Sequence, residues 1–501
     1  MRNAGEPVPI CVSWYRAAHR RTFSPWSLDK LIIPLAGSII TVKQGAVVKP
    51  MSSPEFSLAR TFWSALGGDD ALLEALHFSG PAAGLPSRFH VSELASATIG
   101  VAALAAAELW AARREEPLRP VSADRRLAAA AFLCERLQQP VGWTLPAGWD
   151  PIAGDYETAD GWIRLHTNYS YHRDAVTRML GVPADRHGVA GAVKSWNATE
   201  LEATVVGAGG CAAALRTMDA WQAHPQSAAL ADEPLCHWDE QRNPHPLRAD
   251  ASAPLSGVRV LDMTRVIAGP VGTRYLAAFG ADVLRVDPPK FEEVAALLPE
   301  TTRGKRCAAL DLREPDDRST WERLIAQAHV LVHGYRPGAM EALGFSAARL
   351  RELNPALVVV RYDAYGWSGP WADRRGFDSL VQMSTGIAHP GHDGRPTPLP
   401  AQALDHGTGY LIAAAVCRAL TDGRASALLS LARTARLLAE LGTDGDPDAP
   451  ELGDTDGLLE RSDTAWGPVR HVPCPGRIEG YEARWREPAG PLGRHPPHWI
   501  E

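Results

Sequence analysis

From Val258 onward, short apolar runs recur along the chain: "VRVLDM", "ADVLRVD", "RCAALDL", "HVLVHGY" and "ALVVVRY". They lack the strict polar alternation of a strand with one wet face, so they read as strands buried on both sides. Between them stand segments of helical pattern. "PVGTRYLAAFG" has Pro270 in its first turn and Gly280 at its stop, and "PDDRSTWERLIAQA" and "PGAMEALGFSAARLRELNP" follow. Strands and helices in alternation bury their apolar faces together as a parallel sheet covered by helices on both sides. Residues 254–425 are therefore expected to form an α/β, Rossmann-like parallel-sheet domain.

The flanks read differently. Residues 51–145 carry long Ala/Leu runs and few β-branched residues, which predicts an additional helical N-terminal segment. Residues 146–240 read as a smaller α/β domain. There "GWIRLHTN" alternates as a strand, "YHRDAVTRMLG" is a helix stopped by Gly181, and Asn197 with Glu200 has capping-box spacing. A polar, proline-rich linker is expected at 241–253, a helix at 426–445, an acidic loop at 446–463 and a Pro/Gly-rich tail at 464–501. Residues 1–50 read as an extension of doubtful role. "MSSPEFSLARTFWSAL" at Met51 looks like a natural start, and the extension's basic part lies too far in for a signal peptide. Two echoes cross the chain: "TIGVAALAAAEL" resembles "TGYLIAAAVCRAL", and "ADRRLAAAAFLCERL" resembles "SLARTARLLAEL". Aligned in this way, Ala95 occupies the place of Asp405.

Composition removes several classes of function. A net charge of -7 without a basic run gives no reason to expect a nucleic-acid partner. The most apolar stretch, "ASATIGVAALAAAELWAA", is bounded by "RREE" and reads as a buried helix, so no membrane partner is expected. Seven cysteines without a CxxC pair argue against a disulfide framework or a zinc cluster and suit a cytoplasmic location. H-E-x-x-H, G-x-S-x-G and G-K-[ST] motifs are absent, and the histidines do not fall at metal-ligand spacings; His389 and His392 bracket a turn.

What remains lies at strand ends, where parallel sheets bind ligands. "TRVIAGP" joins the first strand to its helix, but its spacing is not G-x-G-x-x-G, and Pro270 removes an N–H that would face a pyrophosphate. Asp287 ends the second strand where a dehydrogenase holds a ribose. Arg303, Lys305 and Arg306 form either a phosphate-binding group or a solvated basic loop. Tyr335 and Arg336 end a further strand and suit an adenine ring and a phosphate, or a surface turn. The loop "YGWSGPWADRRGFDSLVQMSTG" reads as aromatic core packing or a pocket wall. In "AQALDHGTGYLIAAAVCRAL", Asp405 is the sole acid at the start of an apolar helix. It is either a helix cap or a nucleophile.

In order and spacing, "LSGVRVLDMTRVIAGPVGTRYLAAFGADVLRVDPP", "RGKRCAALDL", "YRPGAMEALGF", "LNPALVVV" and "ALDHGTGY" resemble the class III CoA-transferases, the family of formyl-CoA transferase, carnitine CoA-transferase and α-methylacyl-CoA racemase. The resemblance implies Asp405 as catalytic nucleophile. It places Arg265, Val266 and Ile267, then Gly334 and Tyr335, in CoA-contacting loops, with Lys305, Arg306 and Arg336 as further CoA contacts. Gly407 and Gly409 would let backbone N–H groups meet an oxyanion. The substrates implied are an acyl-CoA and a carboxylic acid, with no permanently bound cofactor and no metal. A homodimer or an internal pseudo-dimer is expected, since the family forms interlocked dimers. Departures are Pro288 and Asp363 at positions where some members carry arginine and lysine, Phe377 where racemases carry a histidine base, and no clear match to a glycine-rich closing loop apart from Gly207–Gly210. The alternatives are an acyl-CoA isomerase or racemase of the same fold, which Phe377 disfavours, and a non-catalytic CoA-binding scaffold. The helical segment and small domain precede the Rossmann-like unit, an order that suggests a tandem copy whose first half lost that unit.

Overall fold

The computed structural model describes residues 53–81, 84–239, 247, 251–389 and 394–500. The readings of residues 1–50, of most of the linker and of His392 lie outside these residues.

The N-terminal part runs through α1 (Pro54–Ala65), β1 (Leu76–Ser79), α2 (Val91–Arg114), β2 (Val121–Asp124) and α3 (Arg125–Phe132). β1 and β2 are parallel, with α2 as their crossover, and Arg477–Ile478 from the tail pairs antiparallel with β2. This segment is thus not purely helical. Strands of four residues are too short to impose a visible alternation on Ala-rich flanks. α2 is apolar and long enough to cross a membrane by length and composition, yet it is wrapped by protein, with 89% of its apolar window buried.

The small domain contains the antiparallel strands β3 (Gly154–Glu157) and β4 (Trp162–Leu165), then α4 (Ser170–Leu180), α5 (Ala198–Gly207) and β5 (Ala212–Ala214), which pairs with β4. Gly181 ends α4 at φ 67°, a left-handed position that glycine adopts without steric cost. The capping box does not form. Asn197 makes no side-chain cap, and Asp160 Oδ1 instead accepts from Ala198 N at 2.7 Å.

The large sheet has seven strands: β6 (His237–Trp238), β7 (Arg259–Met263), β8 (Asp282–Asp287), β9 (Lys305–Ala309), β10 (Val330–His333), β11 (Val358–Asp363) and β12 (Ser426–Ser430). Their spatial order is β9-β8-β7-β10-β11-β12-β6, parallel except for the edge strand β6. Counted from β7, that is the doubly wound order in which β7 and β10 flank the topological switch point. The chain reverses direction there, and a crevice opens at the carboxyl ends of the two strands. α6 (Ala268–Ala278) follows β7, α7 (Asp378–Thr385) and α8 (Ala403–Asp422) link β11 to β12, and α9 (Leu431–Glu440) follows. The "ALLS" run expected to start a helix is instead β12, and Ser430 caps α9 by accepting from Arg433 N at 3.2 Å. A short apolar run satisfies either period, and a free edge beside β11 decides for the strand.

One core fills the sheet face shared with α2, α6 and α8, a second fills the opposite face and includes Trp499 from the tail, and the small domain has its own. The acidic stretch is tied down: Gly445 N donates to Arg88 O and Gly84 N to Pro450 O, while Asp444 meets His90 at 3.0 Å.

The echoes in sequence are echoes in structure. β1-α2-β2-α3 and β11-α8-β12-α9 both follow a strand–helix–strand–helix plan with parallel strands, the second with α7 inserted after β11. In each the second strand runs straight into a capped helix, by Asp124 on Leu127 N and by Ser430 on Arg433 N. α2 and α8 pack on one another. The register that sets Ala95 against Asp405 also sets Glu108 against Arg418, and these two form an ion pair across the contact.

Candidate active site

A cleft of about 320 Å³ lies at the switch point. The loop after β7 supplies Arg265, Val266 and Ile267, and the loop after β10 supplies Gly334, Tyr335 and Arg336. Tyr362 and Asp363 come from the end of β11, Arg375 and Phe377 from the loop before α7, Asp405 from α8, and Tyr169, Tyr171 and His172 from the small domain. The first loop is strained. Val266 sits at φ 63°, where a β-branched residue is a genuine outlier, and such strain clusters at functional sites. Its neighbour Arg265 lies flat against Phe291, 3.4 Å from the ring centroid, and donates to Tyr335 Oη at 3.2 Å. Tyr362 wedges between the two loops. A Cβ on Gly334 would stand 2.5 Å from its ring, and one on Gly269 2.8 Å away, so both glycines are there to admit this tyrosine.

Asp405 stands in the first turn of α8 at the cleft floor, 6% exposed. The capping role falls to a neighbour. Asp378 Oδ2 accepts from Leu404 N at 2.8 Å and from Asp405 N at 3.0 Å, so it caps the helix. Asp378 is itself held by Gln382 Nε2 on its other oxygen. Among the described residues, the Asp405 carboxylate accepts no hydrogen bond, and its lone pairs face the cleft uncommitted. Burial first, then the nearby charges of Asp378 and Glu135, push Asp405 well above the usual carboxylate range. Burial raises Asp378 to about 6. Behind Asp405, His406 meets Glu135 of the N-terminal unit at 3.1 Å and stacks on Phe132, with ring centroids 5.2 Å apart.

Several expected site residues are placed elsewhere. Lys305 is fully buried and pairs with Asp262 at 2.8 Å, Arg306 pairs with Asp282 at 3.0 Å, and Arg303 pairs with Glu300 at 3.3 Å. They form neither a solvated loop nor a phosphate group, because buried cations are retained by carboxylate partners. Asp287 binds Arg285 at 2.8 Å, not a ribose edge. Gly407 and Gly409 lie inside α8, where helical N–H groups are committed to the i−4 carbonyl, so neither offers an oxyanion donor. Gly409 serves packing, since a Cβ there would lie 2.5 Å from Ala268 O. Arg336 is exposed at the cleft mouth, and Gly209 lies beside the wall, its carbonyl accepting from Arg375. Asp363 Oδ1 accepts from Gly366 N, whereas its buried Oδ2 has no partner, and burial lifts this acid to about 8.

Sequence reasoning missed Asp378, Tyr362, Arg375 and the aromatic residues of the small domain as site residues. No spacing signal pointed to Asp378, because its capping contact joins residues 26 apart across the loop between α7 and α8. Cys134, Glu135 and His406 present ligand atoms within 4.8 Å of one another. Arg274 donates to Cys134 Sγ at 3.5 Å, and burial pushes that thiol up, which sets this group against a cation.

Residues 255–427 match the model of CoA-transferase family III. A probable fatty acyl-CoA transferase of Mycobacterium tuberculosis, Rv3272, is 35% identical over 34% of this chain and 48% of its own length. A formyl-CoA:oxalate CoA-transferase of Rhodopseudomonas palustris is 32% identical over 33% of this chain and 42% of its length. The match thus spans less than half of each of these relatives. A crystal structure of Rv3272 superimposes with a TM-score of 0.36 at 34% identity, covering 38% of this chain and 57% of that one. The matched residues 255–427 hold the strained loop, the switch-point crevice and Asp405, and over them the chain is similar to CoA-transferase family III.

Proposed function

We propose that this chain transfers coenzyme A from an acyl-CoA to a carboxylic acid through covalent intermediates on Asp405. The observation that carries the reading is the division of labour at the start of α8: Asp378 takes the capping bonds and Asp405 keeps its lone pairs. A positioned, partly desolvated carboxylate is a competent nucleophile toward a thioester. The formyl-CoA:oxalate transferase, by its name, moves CoA between two carboxylic acids, and the same class of reaction is proposed here.

Asp405 Oδ attacks the thioester carbonyl carbon. A C–O bond forms, the C–S bond breaks, and CoA leaves as thiolate from a mixed anhydride. The thiolate attacks the Asp405 carbonyl carbon, giving an aspartyl-CoA thioester and releasing the acyl group as a carboxylate. An acceptor carboxylate then attacks the aspartyl thioester and expels the thiolate again. The thiolate takes the acceptor's carbonyl carbon and frees Asp405. No net proton is gained or lost. In this reading the cleft-lining loops around Val266 and Tyr335 would hold CoA, with Arg336 at the mouth meeting its phosphates. Phe377 stacks on the buried ring of His166, 3.6 Å between centroids, and offers no base for α-proton exchange, which favours transfer over racemisation.

The test is intact-protein mass after incubation with a panel of acyl-CoAs, with hydroxylamine trapping, for wild type and Asp405→Ala. A CoA- or acyl-sized adduct, and a hydroxamate at residue 405 in wild type only, is the expected result. Equal adducts on both proteins would remove Asp405 from the mechanism.

A further inference from the structure

Among the described residues, two cationic side chains of the cleft have no ion-pair partner: Arg336, exposed at the mouth, and Arg375, half-buried in the wall. Arg265 is engaged by Tyr335 and lies 3.9 Å from Asp287, and Arg374 is held by Glu202 at 2.9 Å. Glu202 is itself shared with Arg216. Arg375 is half-buried, and its Nη1 donates to the Gly209 carbonyl at 3.2 Å. Among the described residues, no carboxylate lies within ion-pair distance of it. A guanidinium carries five N–H donors, and a partly desolvated one with a single backbone acceptor favours an anion beside it.

A second observation points to a ligand at the same place. His172 lines the cleft, is 1% exposed, and among the described residues its Nδ1 has no hydrogen-bond partner, while Nε2 lies 3.4 Å from Cys211 Sγ. Burial and the Arg375 charge lower its pKa to about 4, so the ring is neutral and Nδ1 is a hydrogen-bonding atom without an assigned role. Arg375 is also within reach of the chemistry. It precedes by three residues Asp378, the acid that holds the Asp405 amide, and three residues of chain span at most about 11 Å. The ring of Phe377 also lines the cleft, with Tyr169 nearby at 6.3 Å between centroids.

Resting on the CoA-transfer reading, we propose that Arg375, with His172 beside it, forms an anion subsite for the distal carboxylate of a dicarboxylic substrate whose other carboxyl carbon lies at Asp405. The aromatic wall then flanks the methylenes between the two carboxyl groups. The same guanidinium chemistry would also suit a CoA phosphate, so the experiment separates the two sources.

Calorimetric titration of the full chain with succinate, and separately with free CoA, is compared for wild type, R375M and R375K. The expected result is succinate binding by wild type that weakens at least about tenfold in R375M, the scale of one hydrogen bond to a charged group. R375K should recover part of it, since a lysine keeps the charge but not the fork. Acceptor kinetics add a second readout: the ratio of kcat/KM for succinate over butyrate should fall by a similar factor in R375M. Loss confined to free CoA would assign Arg375 to a phosphate and overturn the proposal. An equal loss on succinate and butyrate, or no succinate binding by wild type, would also overturn it. Arg375-dependent succinate binding by a protein that reacts with no acyl-CoA would leave the subsite standing and remove the transferase reading instead.

Discussion

The two strand–helix–strand–helix units share connectivity, parallel pairing and a capped final helix, yet one holds Asp405 and the other holds Ala95 at the matching place. α2 starts at His90 with no side-chain cap, whereas α8 starts under the Asp378 carboxylate beside the loops of β7 and β10. The difference teaches that the unit alone confers no site. What sets α8 apart is what borders its first turn: the switch-point crevice, a separate capping acid, and Phe132 with the nearby Glu135 packed against the back. The helix of the first unit is the surface on which the helix of the second packs.

The sharpest way to break this comparison is to move the acid. Asp405→Ala should lower CoA transfer by at least about 10³-fold, the scale on which loss of a nucleophile acts, read as acyl-CoA consumption. The reciprocal change, Ala95→Asp, should restore nothing. It places a carboxylate at a position with 0% exposure. Stability should then fall by about 3 kcal/mol or more, seen as a lower denaturation midpoint. Activity in the double variant would show that the units are interchangeable. Next in size is the ion pair across the contact. Glu108→Ala leaves the buried Arg418 with Asp422 and the Gly67 carbonyl, so a loss of about 1–2 kcal/mol is expected. The swap E108R/R418E should recover part of it if the two positions are equivalent, and none if they are not.

A smaller effect concerns the cap. Asp378→Asn removes one of the charges that raise Asp405, so Asp405 should ionise at lower pH. Adduct formation needs the ionised form and therefore rises with pH in wild type, and the variant's rise should lie at lower pH. An unshifted profile would mean that Asp378 acts on Asp405 through its backbone contacts alone. The mildest test lies at the strand ends, where β11 finishes on Asp363 and β1 on Ser79. Asp363 has a folded value of about 8. Its unfolded value is about 3.9. The folded state therefore binds the extra proton, and this group's contribution to stability declines as pH rises from about 4 to about 8. Asp363→Asn should flatten the pH dependence of the denaturation midpoint over that range.

The sheet was readable because its strands are apolar on both faces and separated by helices with clear stops. Ser426–Ser430 was not, since five residues flanked by a helical pattern carry no period of their own. Asp405 was readable as an isolated acid ahead of an apolar helix, but its chemical freedom depends on Asp378, whose contact crosses a loop that sequence spacing cannot close. Lys305 and Arg306 misled for the opposite reason. Adjacent basic residues look solvated in a sequence, and their carboxylate partners Asp262 and Asp282 come from other strands. Tyr362 gives Gly334, which the resemblance puts in a CoA-contacting loop, a packing reason as well.

Trp499 fills the core on the far face of the large sheet, where its Nε1 donates to the Leu324 carbonyl, and Arg477–Ile478 borders the first unit's sheet. During synthesis, both regions must therefore wait for residues made after nearly everything they complete. Domains usually fold as they leave the ribosome, N-terminal parts first. Here β2 and the β7–β10 face would leave the exit tunnel with an open edge and an unfilled hole, and both close only when the tail arrives.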